Sequence, residues 1–475
     1  MIERLLILSF LVYPFDGFML FSISGYGVKI IDVVLLLLYV FFVIELITDK
    51  KKIVINNNIV LHFIILLIVS SILSGFYPLL SGNAEAILQY FKTLVHFIFV
   101  YFVVFVFYAH NFSENFWDKL IRILLIYSIF INIFGIYQLF ARLYNLPLAW
   151  LPINNVSMVY RGMFDMSDIT QISIQFMNLY RATSIFTEPS YYAIFLSSIL
   201  IFQIVPYIRK QEPFIKNRCV NILILVLTII ALLATFSITA ILCVLAIFLG
   251  LMIFEYRNFA KKFLVIVITS LIILIITDLI IKYYTETSPI ELFYTRIEGI
   301  FKTIEGSDRQ ITGESFKYRT EIIKTGFEIW QKSPITGCGL GNFYLNQNKN
   351  INFAHDILGN ALSEMGLIGT IAILGIFFSI FYFLIKLYKN QYFIELTDSE
   401  SRLLGVFLFI MIQTTTVNFF SSSFLIYANL WLYVGIALYL INKISNSLFS
   451  NNIHLCFYSE NISQFIKFIK NNTGI

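Results

Sequence analysis

The sequence predicts an all-α, polytopic membrane protein of about twelve transmembrane helices with two long external loops, the larger carrying amphipathic helices. Three observations support this. The chain is 59% hydrophobic and only 13% charged, with a mean hydropathy of +0.82, far outside the range of soluble domains. Its apolar residues fall into roughly a dozen stretches of about 20, the length that a bilayer core about 30 Å thick requires. The stretches are continuous, whereas strands of a membrane barrel alternate apolar and polar residues.

The expected spans are 4–23, 29–48, 57–76, 87–108, 118–141, 189–207, 219–236, 238–254, 262–281, 357–387, 403–420 and 423–442, within one membrane domain of 1–475. Arg4 precedes the first span as in a signal peptide, but "YPFDG" is no small-residue cleavage site, so a retained helix is expected. With the amino terminus inside, Arg4, "DKKK" at 49–52, "RKQEPFIKNR" at 209–218, "RNFAKK" at 257–262 and a tail at 443–475 are cytoplasmic. The short external loops around 77–86, 235–239 and 419–423 then carry no Lys or Arg, as the positive-inside rule requires. The net charge of +5 reflects this topology and is no nucleic-acid footprint. Cys219, Cys243, Cys338 and Cys456 have neither CxxC nor histidine spacing, so they indicate no zinc site and no disulfide framework. Asp16, Asp32, Lys92, Gln138, Asn178 and Asn418 are costly in hydrocarbon and should face protein.

Two external segments, about 142–188 and 282–356, are too long to be turns. Both hold cations on the side where the charge rule disfavours them, among them Arg142, Arg161 and Arg181 in the first and Arg296 and Arg319 in the second. Such placement suits an anionic ligand, although long loops also translocate regardless of charge. In the second loop, 315–334 reads as an amphipathic helix capped by Ser315 and stopped by Pro334. One face holds Lys317, Glu321, Lys324, Glu328 and Lys332; the other holds Ile322, Ile323, Gly326, Ile329 and Trp330, with Arg319 inside the apolar stripe. A guanidinium there needs a partner, either a carboxylate such as Glu188 or Glu364 or a ligand phosphate. The "GCGLG" of 337–341 has no Walker lysine and no flanking strand, and reads as a tight loop positioning His355. Pro189 suits a first helical turn, which puts Arg181 and Glu188 near a helix amino terminus; Glu188 then reads as a capping carboxylate or a site residue.

No serine elbow, HExxH or external DxD stands out. Arginines with one distinguished histidine fit a transfer that calls for neither metal nor cofactor: an acceptor hydroxyl attacks the anomeric carbon of a sugar carried on a polyprenyl pyrophosphate. Arginines stabilise the departing pyrophosphate and histidine takes the hydroxyl proton. An ordinary buried histidine is the competing reading of His355.

"YRTEIIKTGFEIWQKSPITGCGLGNF" followed by "AHDILGNALSEMGLIGTIAIL" resembles the carboxy-terminal signature of the O-antigen ligase and polymerase superfamily. "RATSIFTEPSYYAIFL" is similar to the other loop signature, that of Wzy-type polymerases of O-antigen and capsule repeats. The resemblance implies that Arg181 and Arg319 bind the lipid pyrophosphate, with Arg296 a further candidate, and that His355 activates the acceptor. Glu188, Asp356 and Glu364 would be supporting residues, Glu364 structurally within E-x-G-x-x-G. Two positions depart from the pattern: Asp356 stands where the family commonly has Asn, and "FSITA" at 236–240 replaces a Ser-Arg. The implied activity is inverting polymerisation of undecaprenyl-pyrophosphate-linked oligosaccharide repeats at the outer face of a bacterial plasma membrane. Donor and acceptor are then both lipid-linked, and a chain-length regulator and a flippase are the implied partners. A ligase delivering glycan to lipid A core and a lipid-linked oligosaccharide flippase are the alternatives.

Overall fold

The computed structural model describes residues 1–23, 26–48, 59–152, 171–173, 175–176, 179–304, 314–346, 354, 356–391, 396–421, 425 and 427–450. His355 and Asn178 lie outside the described residues, as do the side chains of Arg296 and Arg319. The chain is a helical membrane bundle. Its helices are α1 (Ile2–Val12), α2 (Ile30–Thr48), α3 (Ile59–Leu73), the short α4 (Phe76–Ser81), α5 (Ala84–Ala109), α6 (Phe116–Leu143), α7 (Pro189–Arg209) and α8 (Arg218–Ala234). They continue with α9 (Ile238–Phe254), α10 (Tyr256–Thr285), α11 (Pro289–Ile304), α12 (Glu314–Trp330), α13 (Ile357–Asn390), α14 (Asp398–Phe420) and α15 (Ala428–Ser450). Among the described residues, eight helical stretches are long and apolar enough to cross a bilayer, and α8 and α9 are shorter apolar helices.

Each expected span falls on a helix, but the first is corrected. Helix α1 has 11 residues, and Pro14 ends it in a single 3-10 turn. The chain then forms an antiparallel hairpin, β1 (Met19–Ile23) with β2 (Tyr26–Lys29). The amphipathic helix also shifts: it begins at Glu314, so Ser315 lies within it, and it stops at Trp330, ahead of Pro334.

Burial follows composition. Helix α7 is apolar all round and buried from Tyr192 through Phe202, as a helix enclosed by others must be. It packs against α8, α9 and α14, while α13 lies along α3 and α15 along α5. Helix α10 flanks this core with exposed Leu264, Leu271, Ile275 and Leu279, a surface suited to acyl chains. Asp16, Asp32, Gln138 and Asn418 are buried inside the bundle as expected, and Lys92 is half-buried.

Asp16 reveals a contact the sequence did not announce. Lys29, 0% exposed, places its Nζ 2.6 Å from Asp16 Oδ1, while Asp16 Oδ2 accepts the Ala428 N–H at 3.1 Å. The hairpin is thereby pinned to the start of α15, and the Lys29 ammonium lies 5.4 Å from the Tyr427 ring centroid. At the opposite end, polar pins join helices: Arg402 to Asp118 at 2.6 Å, and Arg209 to Glu255 at 3.4 Å and to the Ser401 carbonyl at 2.8 Å.

Replacing Lys29 by Met leaves Asp16 charged and buried, and should cost about 3–5 kcal/mol of stability. Adding Asp16→Asn, which removes the charge but keeps an acceptor for Ala428, should recover most of that loss. Thermal unfolding of the detergent-solubilised protein checks both.

Candidate functional site

Arg181 follows a two-residue strand pair, β3 (Gln175–Phe176) with β4 (Leu179–Tyr180), and is 9% exposed. Its Nε donates to the Thr235 carbonyl at 3.0 Å, and the next amide, Ala182 N–H, donates to the Ala234 carbonyl at 2.9 Å. The end of the first long loop thus docks on the turn between α8 and α9. Those carbonyls are free because a helix end leaves its last C=O groups without intrahelical partners.

A second arginine organises the same place. Arg142, in the last turn of α6 and 3% exposed, donates from Nε to the Ala149 carbonyl at 2.9 Å and from one terminal nitrogen to the Arg181 carbonyl. Its other terminal nitrogen donates to Gln171 Oε1 at 3.0 Å and Thr183 Oγ1 at 2.6 Å, and its Cζ sits 4.1 Å from the Trp150 ring centroid. Gln171 in turn donates to the Ser184 and Phe186 carbonyls, each at 2.8 Å. Sequence reasoning placed Arg142 only among the loop cations; its position in the last helical turn, where a cation favours the helix dipole, was the available signal.

Glu188 is the N-cap residue of α7 and Pro189 follows at N1, as the sequence predicts, but the Glu188 side chain makes no cap hydrogen bond. The reading of Glu188 as a capping carboxylate is therefore corrected.

The α8–α9 turn also meets the second long loop. Phe236, next to Thr235, lies 5.8 Å from Phe293 of α11, ring centroid to centroid. Arg296 is three residues further along α11, one helical turn from that contact. Helix α12 carries Arg319 and packs on α13. Its buried line is Ile322, Thr325, Gly326 and Ile329, and Arg319 precedes Ile322 by three positions. Glu321, Lys324, Glu328 and Lys332 are exposed as expected, but Ile323 is 56% exposed and Trp330 half-buried, so the apolar stripe is narrower than the sequence suggested.

The segment after α12 closes a break in a membrane helix. At Gly366, with φ 66° and ψ −161°, two helical segments of α13 meet. This backbone region is open to glycine alone. The Ser363 and Glu364 carbonyls released there accept from Cys338 N–H at 2.8 Å and Gly339 N–H at 3.0 Å. In the other direction, Leu367 N–H donates to the Pro334 carbonyl at 3.0 Å and Ile368 N–H to the Ile335 carbonyl at 3.4 Å. The fit excludes side chains: a β-carbon on Gly337 would land on the Glu364 carbonyl, and one on Gly366 on the Ile335 carbonyl. Glu364, 6% exposed, accepts the Gly341 N–H at 3.0 Å on Oε2. That bond ties the loop to α13 at Gly341. The Gly337, Cys338, Gly339, Gly341 and Asn342 amides all donate within the protein, which leaves these five unavailable to an anion.

His355 lies outside the described residues, but both neighbours are placed. Ala354 is buried in a small cluster with Ile322, Ile329, Cys338 and Phe343. Asp356 is the N-cap of α13 and accepts the Gly359 N–H on Oδ1 at 2.6 Å. Burial raises the Asp356 carboxyl above its ordinary range, against the lowering effect of its backbone donors.

Gly337→Ala and Gly366→Ala should each lose about 2 kcal/mol or more, from positive-φ strain and the blocked backbone approach. Glu364→Gln, which keeps an acceptor for Gly341, should be mild, whereas Glu364→Leu orphans that amide at about 1–3 kcal/mol. Asp356→Asn preserves the cap and Asp356→Ala loses about 1 kcal/mol. Because the folded state holds the Asp356 proton more tightly than the unfolded one, wild type should lose stability relative to Asp356→Asn as pH rises from the ordinary carboxylate range through the raised value. Thermal unfolding across mildly acidic pH measures this.

No curated protein matches the chain. Residues 223–374 match the family model described as O-antigen ligase, a stretch running from within α8 through the α8–α9 turn, α11, α12 and the 334–341 segment that closes the α13 break, the plug loop, to the first half of α13. Arg296, Arg319, His355 and Glu364 fall inside it, and Arg181 outside it is hydrogen-bonded to Thr235 within it. This match, over about a third of the chain, supports the resemblance to the O-antigen ligase and polymerase superfamily that the two loop signatures carry.

Proposed function

We propose that the protein polymerises undecaprenyl-pyrophosphate-linked oligosaccharide repeats at the outer face of a bacterial plasma membrane. The family match supports the broader statement, an enzyme of the ligase/polymerase type in glycan biosynthesis that works on lipid-linked glycans. The observation that carries the reading is the docking of Arg181 on the α8–α9 turn. It ties the first loop signature to the family-matched segment bearing Arg296, Arg319 and His355.

In this reaction the acceptor hydroxyl forms a bond to the anomeric carbon while the bond from that carbon to the pyrophosphate oxygen breaks, inverting the centre. His355 takes the hydroxyl proton, and the pyrophosphate leaves as an anion held by Arg181 and Arg319, with Arg296 as a further donor. Arginine suits this role because its planar fork matches phosphate oxygens and keeps its charge at any physiological pH. The bundle end bearing the hairpin, the docked Arg181 and the plug loop is the external end under the positive-inside rule, since the opposite end gathers Arg209, Arg402 and Lys443. The "TEPS" of 187–190, matching the polymerase-like loop signature, favours polymerase. The family description, O-antigen ligase, favours ligase as the second reading.

In cells lacking the protein and complemented in turn, His355→Ala, Arg181→Ala and Arg319→Ala should each collapse the glycan ladder to single repeats with the protein still in the membrane. Loss of single repeats as well would assign the ligase reading. Full ladders from all three variants would refute the mechanism.

A further inference from the structure

We propose that Arg142 is a positioning residue of the donor site: its guanidinium sets the place of Arg181, and through Arg181 that of the pyrophosphate. The inference rests on the reading of Arg181 as a pyrophosphate ligand.

The Arg142 fork joins four parts of the chain at once. Its acceptors are the Ala149 carbonyl just beyond α6, Gln171, Thr183 and the Arg181 carbonyl. Arg181 is consequently held at both ends. Its carbonyl accepts from Arg142 and from Ser173 Oγ at 2.8 Å, and its Nε is fixed on Thr235. Removing Arg142 takes away the one charged donor to that carbonyl and leaves the Ser173 hydroxyl and the neighbouring Ala182–Ala234 bond to hold the backbone, a looser setting for the guanidinium.

Two features separate this arrangement from ordinary fold maintenance. Apolar packing usually stabilises a core at least as well as a buried charge, so a buried arginine is a poor choice for stability alone. In addition, all four Arg142 acceptors are neutral oxygens, so its positive charge is solvated but not cancelled. In a low-dielectric setting that charge adds to the attraction felt by an anion on Arg181. Lysine cannot reproduce the geometry, because a point ammonium with three donors on a flexible stem does not span four acceptors.

The test uses the purified full-length protein and undecaprenyl pyrophosphate as the probe, with binding measured directly. If positioning is the role, Arg142→Lys should weaken binding about tenfold although the charge remains, and Thr183→Val, which removes one acceptor, should weaken it about threefold. In an Arg181→Ala background neither change should weaken binding further, because both act through Arg181. Wild-type binding by Arg142→Lys, or losses that add fully to that of Arg181→Ala, would overturn the proposal while leaving the pyrophosphate reading intact. Wild-type binding by Arg181→Ala would instead remove the reading on which the proposal stands. Should Arg142→Lys fail to fold, the Thr183→Val comparison in the two backgrounds decides alone.

Discussion

An interrupted membrane helix must find hydrogen-bond partners for the backbone groups that the interruption frees. A break at Gly366 releases two carbonyls and two amides in the first third of α13, and each unmet group in hydrocarbon costs several kcal/mol. Backbone from 334–339 supplies all four partners. Once that match exists, much else follows: glycines at 337 and 366 because the two backbones touch, and Glu364 to hold Gly341. The second long loop is therefore built into the bundle through main-chain bonds.

The first long loop uses the same currency. Its end is held by carbonyls of the α8–α9 turn and by a buried arginine that itself bonds carbonyl, amide and hydroxyl oxygens. Anchoring through neutral acceptors has an electrostatic consequence that ion pairs lack. A carboxylate beside Arg142 would cancel its field at a nearby anion, whereas carbonyl dipoles solvate the cation and leave the field in place. The hairpin provides the contrast: Lys29 is neutralised by Asp16 and serves attachment.

How much of this was legible follows from what period and composition encode. Helix α9 begins and ends where its apolar run does, and α7 starts at Pro189, because length and punctuation are local signals. The first span misled because Ile2–Ile23 is apolar enough to span while Pro14 and Gly17 direct the chain into a hairpin, and the pairing of Lys29 with Asp16 is tertiary. The run 357–387 reads as one uninterrupted span; Gly366 stands in it as any glycine would, since a positive φ is imposed by the loop that packs there. Arg319 and Arg181 were visible as cations out of place, but Arg142 was not separable from its neighbours, since its importance lies in four contacts spread over 142–183.

Because the glycine loop commits its Gly337, Cys338, Gly339, Gly341 and Asn342 amides to α13 and to its own turn, stabilisation of a departing pyrophosphate would, in the proposed reaction, fall to side chains. That division suits a site at a membrane surface. A backbone nest needs a rigid loop placed against the ligand, whereas in the proposed reaction the arginines are carried on separate elements, α11, α12 and the docked end of the first loop. Their cooperation then depends on how well each element is fixed. The plug loop fixes the head of α13 beside which α12 packs, and the Thr235 contact fixes Arg181. Phe236 against Phe293 brings the second loop to the same α8–α9 turn on which Arg181 docks, so both long loops rest on a single turn between two helices.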